Sequence, residues 1–226
     1  MRFASVTTLC WFLDPTNGHL PLSYAAQYGH KAVVKMLVVW DDVKVTTKDG
    51  DGRLPLSYTT KHGNEVVVRI LLGQDNIEVN TKDRWDFSPL SYAVEDRHEV
   101  VVKMLVAWDD VKVNTKDNHG RLPLSYATEH GNEAVVKILV AQDDVEVDTK
   151  DDYGRLPLSY ATEHGNQAVV EILVTWDDIK VDTKYEAGHF LFYFILLSYG
   201  ADPTLDVTYK PGAPLKLRPH TLGPHL

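Results

Sequence analysis

Apolar residues recur at helical spacing in two short segments of a block that repeats along the chain. In the fifth copy the first segment starts at Pro157 and ends near His164, and Gly165 follows it. Pro suits the first turn of a helix, where its missing N–H has no partner, and Gly suits a left-handed C-terminal cap. The second segment places on one helical face the apolar residues Ala168, Val169, Ile172, Leu173 and Val174. Because residues 151–154 have turn chemistry, the block predicts a turn, a helix, a tight Gly turn, a second helix and an extended loop.

The block repeats with a period of 34 residues. Pro stands at positions 21, 55, 89, 123 and 157, within Leu-Pro-Leu-Ser-Tyr in four of the five copies. One such unit cannot bury its apolar face alone, so neighbouring units must stack. The sequence therefore predicts one elongated all-α solenoid of five repeats, at about 17–50, 51–84, 85–118, 119–152 and 153–187.

Composition and charge narrow the functional classes. The net charge of −9 argues against nucleic-acid binding, which needs a clustered positive excess. Cys10 is the only cysteine, which fits a reducing compartment. The apolar run at 190–197 is too short for a membrane span of about 20 residues, and residues 1–13 lack a clear signal-peptide cleavage site. We expect a soluble protein of the cytoplasm or nucleus, and a monomer.

The order of the unit and its residues resemble the ankyrin repeat. Residues 154–161 read Gly-Arg-Leu-Pro-Leu-Ser-Tyr-Ala, and residues 165–173 read Gly-Asn-Gln-Ala-Val-Val-Glu-Ile-Leu. The family signature is Gly-x-Thr-Pro-Leu-His-x-Ala, continued by Gly-His/Asn-x-x-Val-Val-x-x-Leu-Leu. The match spans about residues 17–184 in five in-phase copies, a tandem array of the kind common in filamentous fungal proteins. The resemblance implies a solenoid with finger-like β-turn loops and a non-enzymatic, protein-binding role.

The chain departs from the signature at the helix caps. Leu20, Leu54, Leu122 and Leu156 replace the capping Thr, and only Ser88 keeps a hydroxyl. Losing such a cap costs about 1 kcal/mol per helix, which we expect apolar packing of Leu to offset. In the third copy Asp86 replaces the turn Gly and Arg97 replaces the Gly between the helices. Non-Gly residues tolerate the left-handed region less well, so we predict that this copy is the weakest part of the array.

Two positions near the end of the second helix alternate along the array. They read Trp40, Gln74, Trp108, Gln142 and Trp176, and, in step, Lys44, Glu78, Lys112, Glu146 and Lys180. The alternation suggests duplication of a pair of repeats. Stacked helices lie about 8–10 Å apart, so we expect Lys–Glu pairs between layers that help to fix the register. The Trp side chains are expected to pack over helix ends, with a partner-binding stripe as the alternative.

The two ends of the array differ from the repeats. Residues 1–16 are interpreted as an N-terminal cap segment, 188–203 as a repeat remnant lacking about ten residues, and 204–226 as a Pro-rich disordered tail. The remnant is either a natural cap or the mark of a fragment or an incorrect gene model. The intact mass of the native protein would separate these alternatives.

Catalytic and metal-binding interpretations are weak. The recurring Ser near His62, His130 and His164 is more simply repeat structure than a nucleophile, because catalysis needs one base, one orienting group and one oxyanion site. Stacked His side chains about 10 Å apart cannot share one zinc ion. The Asp-Asp pairs lack the further oxygen ligands that calcium needs. We predict no enzyme activity, no metal and no cofactor.

The positions that differ between copies are the best functional signal. In ankyrin proteins the fingertips and the ends of the first helices line a concave partner-binding face. Carried over to this chain, those positions give Arg53, His62, Trp85, Phe87, Glu95, His119, Arg121, His130, Tyr153, Arg155 and His164. Trp, Tyr and Arg dominate binding hot spots, so Trp85 and Phe87, flanked by Arg53 and Arg121, form the first candidate anchor. The sequence thus predicts a protein-binding scaffold or adaptor, or alternatively the recognition part of a larger receptor-like or signalling protein.

Overall fold

The fold of the repeated region is a series of short helix pairs. In a computed structural model of the chain, the structure describes residues 20–40 and 42–174. This part contains ten α-helices. They are α1 Pro21–Gln27, α2 Lys31–Leu37, α3 Pro55–Lys61, α4 Glu65–Leu72, α5 Pro89–Glu95, α6 Glu99–Val106, α7 Pro123–Glu129, α8 Glu133–Val140, α9 Pro157–Glu163 and α10 Gln167–Val174. The packing described below lies within one unit of the chain, Met1–Leu173.

The helices form two layers that depend on each other. Each first helix of a pair contacts the first helix of the next pair, and the second helices of the first four pairs contact one another in the same order. Leu56, Leu90 and Leu124 on the first helices, and Val68 and Val102 on the second, are almost completely buried between them. Helices of seven or eight residues are not stable alone in water. Stacking therefore supplies their stability, and the predicted all-α repeat fold is confirmed.

The helix starts follow the sequence. Pro occupies the first turn of all five first helices. Leu54 and Leu122 make no side-chain cap hydrogen bond but are 0% and 1% exposed, so apolar burial replaces the missing cap at these positions. Ser88 does cap its helix, because its Oγ accepts from the N–H of Ser91 at 3.1 Å. Gly165 has a positive φ of 69°, as expected for a left-handed cap.

The third copy keeps the shape of the others without their glycines. Asp86 and Arg97 have φ of 62° and 63°. The backbone of both residues is therefore in the left-handed region that favours glycine. Such a residue costs about 1–2 kcal/mol relative to an unstrained backbone. The expected left-handed geometry is therefore present at both positions. The prediction that this copy is the weakest of the array stays a prediction.

In the second and fifth pairs, a polar side chain just after the inter-helix turn ties the pair to the one before. Asn64 donates from Nδ2 to the carbonyls of Ala26 and Gln27, both at 2.9 Å. In the last pair, Asn166 makes the same two bonds to Thr128 and Glu129, at 2.8 and 2.9 Å. These bonds satisfy carbonyls that the end of an α-helix leaves free. The stacking of the repeats is therefore specified by hydrogen bonds as well as by apolar burial.

The expected Lys–Glu pairs between layers are wrong for the described residues. Neither Glu78 nor Glu146 forms an ion pair in this part of the chain. Each carboxylate instead accepts a hydrogen bond three residues further on, from Thr81 at 2.7 Å and from Thr149 at 2.5 Å. The Thr hydroxyl lies close to the Glu in the chain. Its hydrogen bond to the carboxylate restricts fewer rotatable bonds than an ion pair with a long lysine side chain of the next layer would.

Asn side chains, not ion pairs, hold the loops of adjacent layers together. Asn114 donates from Nδ2 to the carbonyl of Asp144 at 2.5 Å, and its Oδ1 accepts from the N–H of Glu146 at 2.9 Å. Asn80 makes the same two bonds to Asp110 and Lys112, at 2.7 and 2.8 Å. We call this two-ended contact the Asn clamp. It uses the backbone carbonyls of Asp110 and Asp144, each the second residue of an Asp-Asp pair.

Several sequence-based predictions lie outside the described residues. They concern the cap segment 1–16, the remnant 188–203, the tail 204–226, and Trp176 and Lys180. The repeat limits at residues 17 and 187 also lie there, so the proposed boundaries stay predictions. Of the helices that the structure describes, none has both the length and the apolar content that a membrane crossing requires.

Candidate protein-binding face

Each finger is built around one acidic side chain. In the fourth repeat, Asp117 Oδ1 accepts hydrogen bonds from the N–H of His119 at 2.8 Å and of Arg121 at 2.9 Å. Its other oxygen, Oδ2, accepts from the Tyr126 hydroxyl at 2.5 Å. The same arrangement recurs for Asp49 with Tyr58, Asp83 with Tyr92, and Asp151 with Tyr160. Each carboxylate thus fastens a finger to the first helix of its own repeat.

The environment shifts the pKa values of the four tyrosines and of Asp151. Burial raises the pKa of Tyr126, and the hydrogen bond to Asp117 raises it further. Burial acts against ionisation of Asp151 too, but the hydrogen bonds from Tyr160 and from the backbone N–H groups of Arg155 and Tyr153 outweigh it and lower the pKa of that carboxyl. Burial also raises the pKa of Tyr160, so in this pair the Asp stays charged and the Tyr stays protonated, which is the combination that the hydrogen bond needs.

The fingertips are joined by backbone hydrogen bonds. The N–H of Arg84 donates to the carbonyl of Asp51 at 2.9 Å, that of Asn118 to Trp85 at 3.1 Å, and that of Asp152 to His119 at 3.0 Å. The second, third, fourth and fifth fingers therefore form one continuous edge. A partner that contacts two fingertips meets them at a fixed separation.

Half-buried arginine side chains alternate with buried tyrosine rings beneath the fingers. Arg53 lies 5.7 Å from the ring centroid of Tyr58 and 5.6 Å from that of Tyr92. Arg121 lies 3.9 Å from the Tyr126 centroid and 4.4 Å from that of Tyr160. Such cation–π contacts contribute about 0.5–2 kcal/mol, depending on desolvation. The row links neighbouring repeats, and we call it the Arg–aromatic row.

One member of the row is aromatic where the others are basic. Phe87 occupies the position of Arg53, Arg121 and Arg155, and its ring centroid lies 5.2 Å from that of Tyr92 and 5.4 Å from that of Tyr126. The row is therefore continuous through the third repeat but lacks a positive charge there.

The arginines of the row choose different acidic partners. Arg155 Nε donates to Asp151 of its own finger at 3.3 Å, whereas Arg53 Nε donates to Asp83 of the next finger at 3.4 Å. Asp83 is open to Arg53 because the third repeat has no arginine of its own at position 87. Arg121 pairs with Glu129, and its buried Nε has no hydrogen-bond partner among the described residues.

The predicted anchor is partly assembled. Trp85 lies between two guanidinium groups, with the carbon of Arg84 at 4.1 Å and that of Arg53 at 4.6 Å from its ring centroid. The rings of His119 and Tyr153, on successive fingers, are 6.2 Å apart. Tyr153 is 63% exposed, so these fingertips present aromatic surface to solvent.

The histidines at the ends of the first helices do not form one cluster. His130 lies 3.4 Å from a guanidinium nitrogen of Arg97, and His164 Nδ1 lies 3.0 Å from the carbonyl of Tyr160. Burial lowers the pKa of His62 and that of His130. In the described part of the chain, no hydrogen bond joins these histidines to the repeated serines, and no group of three His, Cys, Asp or Glu side chains could hold a metal ion.

Trp108 marks a different part of the surface. It is 37% exposed and borders an open depression of about 390 Å³ that Ile77, Val79 and Asp110 also line. Trp40 is half-buried. Trp108 therefore does not lie on the Arg–aromatic row, and it provides a reference position away from the candidate face.

Sequence reasoning missed the acidic and tyrosine residues that hold the face in place. Asp49, Asp83, Asp117 and Asp151 each precede a Tyr by nine residues, and the spacing is the same in every described finger. That constancy was the available signal. Variation between copies does not reveal these residues, because residues that are the same in every copy support the site and do not determine its specificity.

The comparison with known protein families agrees with the geometry. The family model for ankyrin repeats, described as ankyrin repeats in three copies, matches residues 22–117 and 90–185. No curated protein sequence matches the chain. Ankyrin repeats generally mediate protein–protein interaction, and the family is typically a non-enzymatic interaction module. The stacked helix pairs, the fingers and the family match lead to one conclusion: this chain belongs to the ankyrin-repeat family.

Proposed function

We propose that this chain is a non-enzymatic scaffold or adaptor that binds a protein partner on the face formed by the fingertips and the ends of the first helices. It acts as a monomer in the cytoplasm or nucleus. The observation that carries the proposal is the Arg–aromatic row, whose half-buried arginines and Phe87 pack on buried tyrosine rings beneath four connected fingers, from Arg53 to Arg155. Arg and aromatic side chains on a rigid support are the groups that contribute most to binding energy.

The rigidity of the face supports the same proposal. Each finger is fastened to its helix through an Asp–Tyr hydrogen bond, and each fingertip is bonded to the next. A surface that is already ordered loses little conformational entropy when a partner binds. The net charge of −9 favours association with a basic partner surface.

The test uses two aromatic residues of the fingertips, the half-buried Trp85 and the exposed Tyr153, and one aromatic residue away from the face. Trp85→Ala combined with Tyr153→Ala removes fingertip contact area without removing an Asp–Tyr pair. Trp108→Ala is the matched control. Arg121 is left intact because it contacts two tyrosine rings and Glu129, so its loss would also destabilise the fold.

The measurement is affinity capture from cell lysate with quantitative mass spectrometry. We expect the double variant to lose the proteins that the wild-type chain retains, while the Trp108→Ala variant keeps them. Circular dichroism must show the same helical signal for all three proteins. Equal retention by the double variant and the wild type would place the binding surface elsewhere.

A further inference from the structure

The third repeat lacks an ion pair that the fourth and fifth repeats contain. Arg121 pairs with Glu129, and Arg155 lies 4.0 Å from Glu163. In both repeats the Arg after the turn is joined to the Glu at the end of the first helix, eight residues later. The corresponding residues of the third repeat are Phe87 and Glu95. Phe cannot pair with a carboxylate, so this copy keeps the acid and lacks its base.

Glu95 has no replacement partner in the part of the chain that the structure describes. No ion pair or hydrogen bond reaches its carboxylate there. Lys61 lies over the ring of Tyr92, with Nζ 5.3 Å from the centroid, and Arg121 is engaged with Glu129. Burial and the neighbouring charge of Asp96 raise the pKa of Glu95, and the charges of Lys61 and Arg121 offset this only in part. A half-buried carboxylate without a partner is costly, and a cation supplied from outside would remove that cost.

An aromatic ring, Phe87, takes the position that carries the paired arginine in the next two repeats. The Phe87 ring packs 5.4 Å from that of Tyr126, and Glu95 is close enough to Tyr126 to raise the pKa of its hydroxyl. A carboxylate next to aromatic faces is a favourable environment for guanidinium and ammonium groups. The chain itself uses this chemistry one repeat later, where Arg121 contacts the rings of Tyr126 and Tyr160 while it pairs with Glu129.

We propose that Glu95, with Phe87 and Tyr126 beside it, forms a subsite for an Arg or Lys side chain of the protein partner. This rests on the proposed function and adds the chemistry of one contact to it. The partner's basic side chain supplies the charge that Arg121 and Arg155 supply internally in the next two repeats. The acidic net charge of the chain acts in the same direction, since it attracts a basic segment before contact.

The experiment selects peptides from a random linear peptide library on the purified chain. We expect the wild type to enrich peptides that contain Arg or Lys. An enriched peptide is then synthesised with its basic residue and with Gln in its place. We expect the wild type to bind the basic form about 10- to 100-fold more tightly, the usual worth of a charge-assisted hydrogen bond. In Glu95→Gln that difference should disappear.

Two further variants separate the subsite from a general charge effect. Glu163→Gln removes the same charge where Arg155 already pairs with it, and should keep the preference. Phe87→Arg recreates the Arg–Glu spacing of the fourth and fifth repeats, so it should fold, lower the pKa of Glu95 measured by carbon NMR, and abolish the preference for the basic peptide.

The outcomes distinguish the two proposals. Peptides enriched without a basic residue, or a preference that persists in Glu95→Gln, would overturn the subsite while leaving protein binding in place. If Glu163→Gln loses the preference for the basic peptide as fully as Glu95→Gln does, the preference is a general effect of charge and the subsite is overturned. Failure of the wild type to enrich any peptide would count against the proposed function itself, and the subsite would fall with it.

Discussion

Asn132 turns away from Arg97, although the equivalent Asn in two other repeats reaches back to the preceding repeat. Asn132 Oδ1 accepts from the N–H of Val135 at 3.2 Å, which caps the helix that it precedes. Among the described residues, the Asn132 side chain makes no hydrogen bond to the third repeat. The interface between the third and fourth repeats therefore lacks two hydrogen bonds that Asn64 and Asn166 make elsewhere.

The cause is the Cβ atom of Arg97. At Gly29 and Gly131, which occupy the same position in other repeats, an added Cβ would lie only 2.7 and 2.5 Å from the Oδ1 of the bridging Asn. Such contacts are too short to exist. The Asn can therefore bridge two repeats only when the preceding repeat has glycine at this position. Arg97 thus has two effects: it holds a strained φ, and it displaces Asn132.

We predict that Arg97→Gly stabilises the protein by about 1–4 kcal/mol. Relief of the left-handed backbone contributes about 1–2 kcal/mol, and two regained amide hydrogen bonds contribute about 0.5–1.5 kcal/mol each. The greater freedom of glycine in the unfolded chain takes back about 0.5–1 kcal/mol. For a chain of this size the melting temperature should rise by about 2–4 °C for each kcal/mol, which thermal unfolding measures.

Arg97→Ala is the matched control, because it removes the guanidinium but keeps both the Cβ and the positive φ. It should give no gain. Asn132→Ala should cost more in the Arg97→Gly background than in the wild type, since only there does the amide bridge two repeats. A melting temperature that rises equally in the Gly and Ala variants would contradict this account.

The Asp–Tyr pairs should be required for stability. Tyr126→Phe removes the hydroxyl that donates to Asp117 and leaves a buried carboxylate oxygen without its donor. We expect a loss of about 1–3 kcal/mol, measured by urea unfolding. Tyr153→Phe makes the same chemical change on an exposed fingertip and should cost nothing measurable. Similar losses in both variants would mean that the pair does not fasten the finger.

Stability should fall on mild acidification because of two histidines. Burial lowers the pKa of His130, and the charge of Arg97 lowers it further, while Glu129 acts in the opposite direction and Arg121 and His164 add to the lowering. Burial and the charge of Lys61 lower the pKa of His62. Asp96 acts in the opposite direction, and His98 adds to the lowering. The folded state therefore favours the neutral imidazoles. At pH values between the lowered pKa and the ordinary value of about 6.5, the unfolded chain binds more protons than the folded protein.

The stabilising contribution of these histidines is thus complete above about pH 6.5 and is lost as the pH falls through the lowered values. Urea midpoints across this range should decrease towards acid, and the combined variant His62→Gln, His130→Gln should show a smaller slope. Both proteins should carry Glu95→Gln, because the raised pKa of that carboxyl contributes with the opposite sign. An unchanged slope would show that the histidines are not responsible.

The Asn clamp should discriminate against an isosteric acid. Asn114→Asp keeps the acceptor for the Glu146 N–H but replaces the donor to the Asp144 carbonyl with a charged oxygen. We expect a loss of about 0.5–1.5 kcal/mol from the missing hydrogen bond, with repulsion added to it. Asn118→Asp adds the same charge to an exposed fingertip and serves as the control in the same urea titration. If both variants lose the same free energy of unfolding, the effect comes from net charge and not from the Asn clamp.

Much of the fold was predictable because its information is local and repeated. Pro157 at a helix start and Gly165 at a left-handed turn are dictated by backbone sterics, and five copies make each signal stronger. The left-handed geometry of Asp86 and Arg97 followed from the glycines that replace them in other copies. These predictions need only the conformational preferences of single residues.

The contacts between repeats were less predictable, because they depend on which of several rotamers a side chain adopts. The alternation of Lys112 with Glu78 suggested ion pairs, yet Glu78 accepts from nearby Thr81. The partner that Arg53 chooses depends on the residue at position 87 of the next repeat, where Phe leaves Asp83 available. Such choices follow from three-dimensional neighbours, so spacing alone does not reveal them.

The bonded fingertips also set a length scale for whatever lies along them. Adjacent packed helices are about 8–10 Å apart, and an extended chain advances about 3.3 Å per residue. A partner segment that runs along the array therefore advances by about three residues from one finger to the next. A side chain that faces Glu95 and one that contacts Tyr153, two repeats further along, would be separated by about six residues in that segment.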